Sequence, residues 1–318
     1  MHIEPSDGHR PSRSVLVACI TLIMAIWAVN YLTVKIALRS FEPLTLASFR
    51  VVAASAFMLV IYPIAARLRA FSADLKAHKQ PRTLRDLFTF AYLGFFCIGL
   101  NQMCFTVGLR YTSVAHSSLI LGMGPIYALI LAVLFCLEKL TIGKALGMTV
   151  SFIGVAILAY GSGGVSRHSP TIHGDLITLC GSLAFALYVV LGKRVAGNYD
   201  ALTMTTWNYL FGGILVLPIA INRAAALGPL ANWQSIPWVA WACLAFSAIF
   251  SSTLAYLFYF WLLRYLDASQ LSAFSYLLPV SATILGILFL GERGSRSELA
   301  GAALALCGLF LTESARSS

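Results

Sequence analysis

Long apolar stretches without charged residues alternate along this chain with short polar segments. Most of them are long enough, at about 1.5 Å per residue, to cross the ~30 Å hydrocarbon core of a bilayer as helices. They do not alternate residue by residue in hydrophobicity, as strands of a membrane barrel would. The pattern predicts an all-α integral membrane protein with ten transmembrane helices, over residues 15–34, 44–66, 87–109, 113–137, 142–160, 175–192, 202–221, 236–263, 268–290 and 297–312.

The composition agrees with this pattern. The 318 residues are 59% hydrophobic and 11% charged, whereas soluble domains average roughly 45–50% apolar and about 25% charged residues. The first stretch, Val15–Val34, is too long for the apolar core of a cleaved signal peptide and is interpreted as a retained span. All seven cysteines lie in apolar runs without a C-x-x-C pair, which favours packing roles over disulfides or metal ligands. No cofactor is implied.

One stretch of the chain occurs twice, at a constant spacing of 154 positions. Its landmarks are an Arg-Tyr pair, a proline, a glutamate and two glycines, which appear as Arg110-Tyr111, Pro125, Glu138, Gly147 and Gly154, and again as Arg264-Tyr265, Pro279, Glu292, Gly301 and Gly308. At a spacing of 158, Asn30 corresponds to Tyr188 and Arg50 to Asn208. A repeat at half the chain length predicts two related halves. We expect a disordered tail over 1–13, a first repeat over 14–160, a linker over 161–174 and a second repeat over 175–313.

The distribution of basic residues predicts the orientation of the chain. With the N-terminus inside, cytoplasmic segments carry fourteen Lys and Arg residues, outer segments carry seven, and Arg50 lies within a span. This bias favours both termini in the cytoplasm, in a plasma (inner) membrane, and explains the net charge of +10 without a nucleic-acid partner. Because each half has an odd number of spans, the second half enters from the opposite side, as in transporters built from inverted repeats.

The same residues resemble a known family. The chain is similar to the ten-helix EamA-domain branch of the drug/metabolite transporter superfamily through Trp27-Ala28-Val29-Asn30, Arg50, Gly108-Leu109-Arg110-Tyr111-Thr112, and the repeated Pro, Glu and Gly landmarks. The resemblance covers residues from about 15 to 312. It implies two inverted five-helix repeats around a central cavity, and the movement of small metabolites such as amino acids.

Of the residues in the predicted spans, Arg50 is the one whose placement in the membrane costs the most free energy. It lies seven positions after Pro43, roughly 10 Å below the start of its helix at 1.5 Å per residue. An arginine at that depth costs a few kcal/mol unless it snorkels or faces protein. Two interpretations remain open. Arg50 attracts an anion, such as a carboxylate, into the cavity, or it is a structural residue bound to helix-end carbonyls or to Glu42.

Other polar and aromatic residues inside the spans are predicted to face the interior of the bundle, because amides facing lipid are disfavoured. The alternatives are hydrogen bonding between helices for the polar groups and packing for the aromatic ones. With Arg50, the candidates for the cavity are Trp27, Asn30, Asn101, Gln102, His116, Tyr188, Asn208, Gln270, Ser275 and Tyr276.

The repeated landmarks are interpreted mainly as architecture. Pro125 and Pro279 are predicted to bend two helices in mid-span, either as hinges or as fixed kinks. Glu138 and Glu292 each precede a candidate N-cap, Thr141 or Ser295, and an acid beside a helix N-terminus is favourable. Gly147 and Gly301 are predicted to serve helix packing.

These observations favour a secondary transporter that moves a small polar metabolite, such as an amino acid, by alternating access. Its partners are a small-molecule substrate and the lipid bilayer, and its oligomeric state is left open. Alternatives within the same fold are a transporter of hydrophobic drugs and one of sugars or nucleotide sugars. A membrane enzyme is a remote alternative, since the spans contain no H-E-x-x-H motif and no acid pair.

Overall fold

The computed structural model describes residues 11–68, 79–111, 117, 120–161, 172–228, 233–278, 280–281 and 296–314. Helices dominate these ranges, and no strand occurs within them. In chain order the helices are α1 (Arg13–Ala37), α2 (Pro43–Arg67), α3 (Leu84–Tyr111), α4 (Gly124–Leu134), α5 (Ile142–Gly161), α6 (Ile172–Val195), α7 (Ala201–Leu227), α8 (Trp238–Leu263), α9 (Ala268–Ala273) and α10 (Arg296–Ser314).

Six of these helices are long and apolar enough to cross a membrane, as judged by length and composition over the described ranges: α1, α2, α3, α6, α7 and α8. Shorter apolar helices run over Ile120–Leu134, Ile142–Ile157 and Ala300–Thr312. The prediction of an all-α membrane protein is therefore confirmed. The count of ten spans and their organisation as two inverted repeats stay predictions.

Side-chain caps set where several of these helices begin. Glu42 Oε2 accepts a hydrogen bond from the backbone N of Thr45 at 3.0 Å, and Pro43 occupies the first helical position of α2. Asp200 Oδ1 accepts from the backbone N of Thr203 at 2.8 Å at the start of α7. The first backbone N–H groups of a helix have no partner within it, so these carboxylates stabilise the helix starts.

Glycines allow two pairs of helices to approach closely. In the α5–α10 pair, a Cβ atom on Gly154 would lie 2.7 Å from the carbonyl oxygen of Gly301 and 2.8 Å from the Cα of Ala305. In the α2–α7 pair, Ser55 Oγ donates to the carbonyl of Tyr209 at 2.7 Å and packs against Gly213. Small residues let helix backbones approach in this way, and such contacts hold helices together where lipid supplies no hydrophobic drive.

Helices α3 and α8 each contain a π-helical segment, Phe95–Asn101 in α3 and Ser247–Leu254 in α8. The segment of α3 packs against α7, and the segment of α8 packs against α2. A hydrogen bond from Thr253 Oγ1 to the carbonyl of Ala248, at 2.9 Å, lies within the wider turn of α8. Turns of this type are frequent at functional sites, and these two lie beside the cavity.

Pro125 lies within the apolar helix Ile120–Leu134, at a break in it. It lies in the first turn of α4, directly after a turn at Met123 that separates α4 from the short helical stretch before it. Proline fits this position because the missing N–H would have no intrahelical partner there. Its predicted counterpart, Pro279, lies outside the described residues.

Candidate functional site

A cavity of about 170 Å³ opens between α1, α2, α3, α4, α6, α8 and α9. Among the residues that the structure describes, its wall combines one cationic side chain with amides, hydroxyls and aromatic rings, and none of these lining residues is acidic. The lining residues are Trp27, Asn30, Tyr31, Arg50, Asn101, Gln102, Phe105, Leu121, Gly122, Gly124, Ser182, Phe185, Ser251, Tyr256, Ser272, Ser275 and Leu278.

Arg50 is the cationic group of this wall, and only 4% of it is exposed. Its Nε donates to Ser252 Oγ at 2.7 Å and its Nη2 to Ser251 Oγ at 3.4 Å, both on the π-helical segment of α8. Within the described part of the chain, Nη1 has no hydrogen-bond partner and no carboxylate forms an ion pair with Arg50. Glu42 instead caps α2 and lies 3.9 Å from Arg223. The guanidinium is therefore held in place, and no acid of the described ranges compensates its charge.

A chain of hydrogen bonds continues from Arg50 across the cavity wall. Ser252 Oγ donates to Gln102 Oε1 at 3.1 Å, and Gln102 Nε2 donates to Tyr209 Oη at 2.6 Å. Every member of this chain is buried. Because the amide of Gln102 donates at one end and accepts at the other, its orientation is determined by its neighbours. The chain joins α2, α8, α3 and α7.

Asn101 makes a second set of contacts between helices. Its Nδ2 donates to the carbonyl of Gly181 on α6 at 2.9 Å, and its Oδ1 accepts from Tyr256 Oη on α8 at 3.4 Å. Both ends of this amide are thus bonded to protein. Asn101 lines the cavity, and its hydrogen bonds hold α3 against its two neighbours.

Aromatic rings form one side of the cavity around Trp27. The indole Nε1 donates to the carbonyl of Ser251 at 3.3 Å. Its ring lies edge-on to Phe185 and Tyr256, with centroid distances of 6.1 and 5.7 Å, and 5.6 Å from the ring of Tyr259. Aromatic pairs in these geometries are favourable beyond the area they bury, so these contacts stabilise this wall.

The structure brings together six of the predicted cavity residues and separates four. Trp27, Asn30, Arg50, Asn101, Gln102 and Ser275 line the cavity, whereas Tyr188, Asn208, Gln270 and Tyr276 are not part of its lining. Tyr188 is fully buried behind the wall, edge-on to Phe260 at 5.1 Å. Tyr276 Oη donates to the carbonyl of Met148 at 3.3 Å, on α5. His116 lies outside the described residues.

Several lining residues were missed by the sequence prediction. Tyr31 follows Asn30 directly, and Phe105 lies three residues after Gln102, on the same face of α3. Helical spacing from a predicted residue could have found Phe105. Ser251 gave no such signal, because it lies in a π-helical segment whose turns do not follow the usual period.

The carboxylate of Glu138 contacts the N-terminus of α9, although Glu138 itself precedes the predicted N-cap Thr141 at the start of α5. Thr141 caps that helix, accepting from the backbone N of Lys144 at 3.2 Å. The carboxylate of Glu138 instead accepts from Lys144 Nζ at 2.9 Å and from the backbone N of Ser269 at 3.0 Å, in the first turn of α9. The preference of an acid for a helix N-terminus holds, but the helix is α9, which lies in the second half of the chain. Glu292 lies outside the described residues.

The predicted glycines lie at the α5–α10 contact. A Cβ atom on Gly147 would lie 2.8 Å from the carbonyl oxygen of Gly308, and the carbonyl of Gly301 lies against Gly154. These positions hold glycine because the facing backbones leave no room for a side chain. No cluster of three or more metal-ligating side chains occurs in the ranges that the structure describes.

Asn208 allows a test of how much a buried amide without hydrogen bonds costs in stability. It is 1% exposed, and neither Nδ2 nor Oδ1 has a hydrogen-bond partner among the described residues. An unsatisfied buried amide costs about 1–3 kcal/mol. We therefore expect Asn208→Leu to leave the thermal stability of the detergent-purified protein unchanged or higher. The matched variant Asn101→Leu should lower it, since it removes bonds to Gly181 and Tyr256. Equal losses of stability in the two variants would contradict this account.

Comparison with known proteins places the chain in a family. A model of the EamA-like transporter family matches residues 15–160 and 172–314. The chain belongs to the EamA-like transporter family. The resemblance noted in the sequence is therefore confirmed, and the protein is a multi-pass membrane protein of a transporter family, with the lipid bilayer and a small-molecule substrate as partners.

Two relatives of this EamA-family protein align with more than nine-tenths of its length. An uncharacterized transporter of Archaeoglobus fulgidus is 25% identical over 292 residues, covering 92% of this chain and 96% of the relative. A probable terminal-alkyne amino-acid exporter of Streptantibioticus cattleyicolor is 23% identical over 300 residues, covering 94% of this chain and 93% of the relative. One crystal structure of a protein superposes with a TM-score of 0.69 at 16% identity, covering 95% of this chain and 99% of that one, which shows a shared fold.

Proposed function

We propose that this EamA-family protein is a secondary transporter for a small polar metabolite that carries a carboxylate, such as an amino acid. The observation that carries the proposal is Arg50, a buried guanidinium in the cavity wall with a free Nη1 and no carboxylate partner in the described ranges. A charged group inside a membrane is expensive and marks substrate pathways. A carboxylate from the substrate would supply the charge that the protein lacks, through charge-assisted hydrogen bonds.

The rest of the cavity supports a small substrate of low charge. Apart from Arg50, the lining side chains in the described part of the chain are neutral. Several phosphates of a nucleotide sugar would require more than one cation, and a purely hydrophobic drug would leave the guanidinium without a partner. The similarity to a probable amino-acid exporter agrees with this substrate class.

Alternating access between two inverted five-helix halves is the proposed mechanism. The packing of α2 against α7 supports it, because Ser55 and Gly213 touch each other and are themselves 158 positions apart, the spacing that relates the two halves. The α5–α10 contacts support it too, since Gly147 meets Gly308 and Gly154 meets Gly301, and each residue is 154 positions from its counterpart. Two equivalent halves around a central site can expose that site to either side in turn.

The substrate class is tested with the purified protein in proteoliposomes. Counterflow of radiolabelled L-amino acids identifies the best substrate, with protein-free liposomes as the background. Its carboxamide, which has the same side chain and no carboxylate charge, should then compete at least about tenfold less well, because it cannot pair with Arg50. If the acid and the amide compete equally well, the substrate carboxylate is not recognised and that part of the proposal is wrong. If no amino acid shows counterflow, amino acids are not the substrate class.

A further inference from the structure

A group of charges, of which two are buried and Asp267 is one-third exposed, joins the two halves at the end of the bundle that carries the α4–α5 loop. We call Glu138, Lys144, Asp267 and Ser269 the closing network. Lys144 is 0% exposed, and its Nζ lies 2.9 Å from Glu138 Oε2 and 3.3 Å from Asp267 Oδ2. The carboxylate of Glu138 also accepts hydrogen bonds from the backbone N of Ser269, at 3.0 Å, and from its hydroxyl.

The network connects segments that are far apart in the chain. Glu138 and Lys144 lie between α4 and the first turn of α5, while Asp267 and Ser269 form the start of α9. Breaking such a buried pair leaves uncompensated charges, which is strongly unfavourable, so the two segments are held together as long as this end stays dry.

Two further cationic side chains form hydrogen bonds between segments at the same end of the bundle. Lys193 Nζ, at the end of α6, donates to the carbonyls of Leu263 and Leu266 at 2.8 and 2.6 Å, which fixes the turn between α8 and α9. Arg194 donates to the carbonyl of Phe135 at 3.1 Å and lies 4.6 Å from the centre of its ring. Segments of both halves thus converge here.

Between the cavity and this end, buried rings fill the bundle. Tyr259 lies 5.6 Å from Trp27 in the cavity wall, and Tyr188 lies edge-on to Phe260 at 5.1 Å. Phe260 in turn packs against Gly192, one residue before Lys193. All three rings behind the wall are 1% exposed. The cavity is therefore closed toward the α4–α5 end, first by aromatic packing and then by charge pairing.

The sequence does not repeat this arrangement in the other half. At the spacing of 154, Glu138 corresponds to Glu292, but Lys144 corresponds to Glu298 and Asp267 to Ser113. The residues at those positions therefore cannot form ion pairs of one lysine with two carboxylates. We propose that the closing network is a one-sided latch that keeps the resting transporter closed at the α4–α5 end, an inference that rests on the proposed alternating access.

The latch is tested by labelling a cysteine in the cavity from either side of the membrane. The reporter is Ser275→Cys in the full chain with its seven native cysteines replaced, and the probe is a membrane-impermeant maleimide applied to right-side-out and inside-out vesicles. With the latch intact, we expect slow labelling from the α4–α5 end. Lys144→Met removes the central charge and should accelerate labelling from that end by at least about tenfold, because a buried ion pair no longer opposes opening.

Lys139→Met is the matched control, since Lys139 is an exposed residue of the same loop and lies outside the network. It should label like the parent. If Lys144→Met does not insert, Asp267→Asn, whose side chain is 33% exposed, tests the same contact and should also accelerate labelling. The proposal is overturned if the parent labels rapidly from the α4–α5 end, or if the inserted variants label at the parent's rate. The assay needs no substrate, so its result is separable from that of the counterflow experiment.

Discussion

Loss of transport with retention of the fold is the expected result of Arg50→Ala. The substitution removes the cation of the cavity wall, so a substrate carboxylate enters a site that no longer offers it a charged partner. Truncating one partner of a buried, hydrogen-bonded charge pair costs about 2–5 kcal/mol, so we expect the transport efficiency to fall by at least about 30-fold. Insertion should persist, because no ion pair within the described chain depends on Arg50.

The measurement is counterflow in proteoliposomes, with size-exclusion chromatography to confirm folding. Arg39→Ala is the matched control, because Arg39 is exposed at the same end of the bundle and its loss removes the same charge. Arg50→Lys should recover only part of the activity, since a lysine cannot reproduce the fork that binds both Ser251 and Ser252. Transport by Arg50→Ala at the parent's efficiency would show that the guanidinium is structural.

The second large effect is expected at the α5–α10 contact. Gly154→Ala places a methyl group 2.7 Å from the carbonyl oxygen of Gly301 and 2.8 Å from the Cα of Ala305, and nearer still to the backbone N of Ala305. Neither helix can yield by rotating a side chain, because the obstacles are main-chain atoms. Overpacking of this kind typically costs about 1–3 kcal/mol, occasionally more. We expect a lower temperature of aggregation, measured by size-exclusion chromatography of heated, detergent-solubilised protein.

Gly99→Ala is the control for this substitution. A Cβ atom there would meet only the carbonyl oxygen of Gly94, at 3.8 Å, which is an ordinary contact. Alanine also has the higher helix propensity, by about 1 kcal/mol, so this variant should be as stable as the parent or more so. If both variants aggregate at the same temperature, the close approach of α5 and α10 does not contribute to stability.

The fold was largely predictable because apolar spans and helix caps are local signals. The predicted starts of α2 and α7 fall within one residue of the observed ones, where Glu42 and Asp200 cap the first turns. Predictions that depended on contacts between distant segments were less successful. Glu138 has the chemistry of a helix cap, but only the folded chain shows that the helix it binds is α9.

The site was predictable to the extent that a charged or amide group in a span must face the interior. This argument located Arg50, Asn30 and Asn101 in the cavity wall. It could not separate Asn101 from Asn208, because both are buried amides and only the packing of neighbouring helices decides which one reaches the cavity. Tyr188 was misplaced for a similar reason, since one helical turn separates it from the lining residue Phe185.

The π-helical segments carry one consequence for how this site can change. A π turn holds one residue more than the α turn it replaces, and one residue corresponds to about 100° of rotation around a helix. Because the π turn takes up this extra residue within one turn, deleting a single residue within Phe95–Asn101 would restore the ordinary period while Gln102 and Phe105 keep facing the cavity. The span would shorten by only about 1.5 Å. The same deletion in a regular α-helical stretch would turn the residues after it by about 100°, so the π-helical segments of α3 and α8 are places where one residue can be lost while the cavity lining is kept.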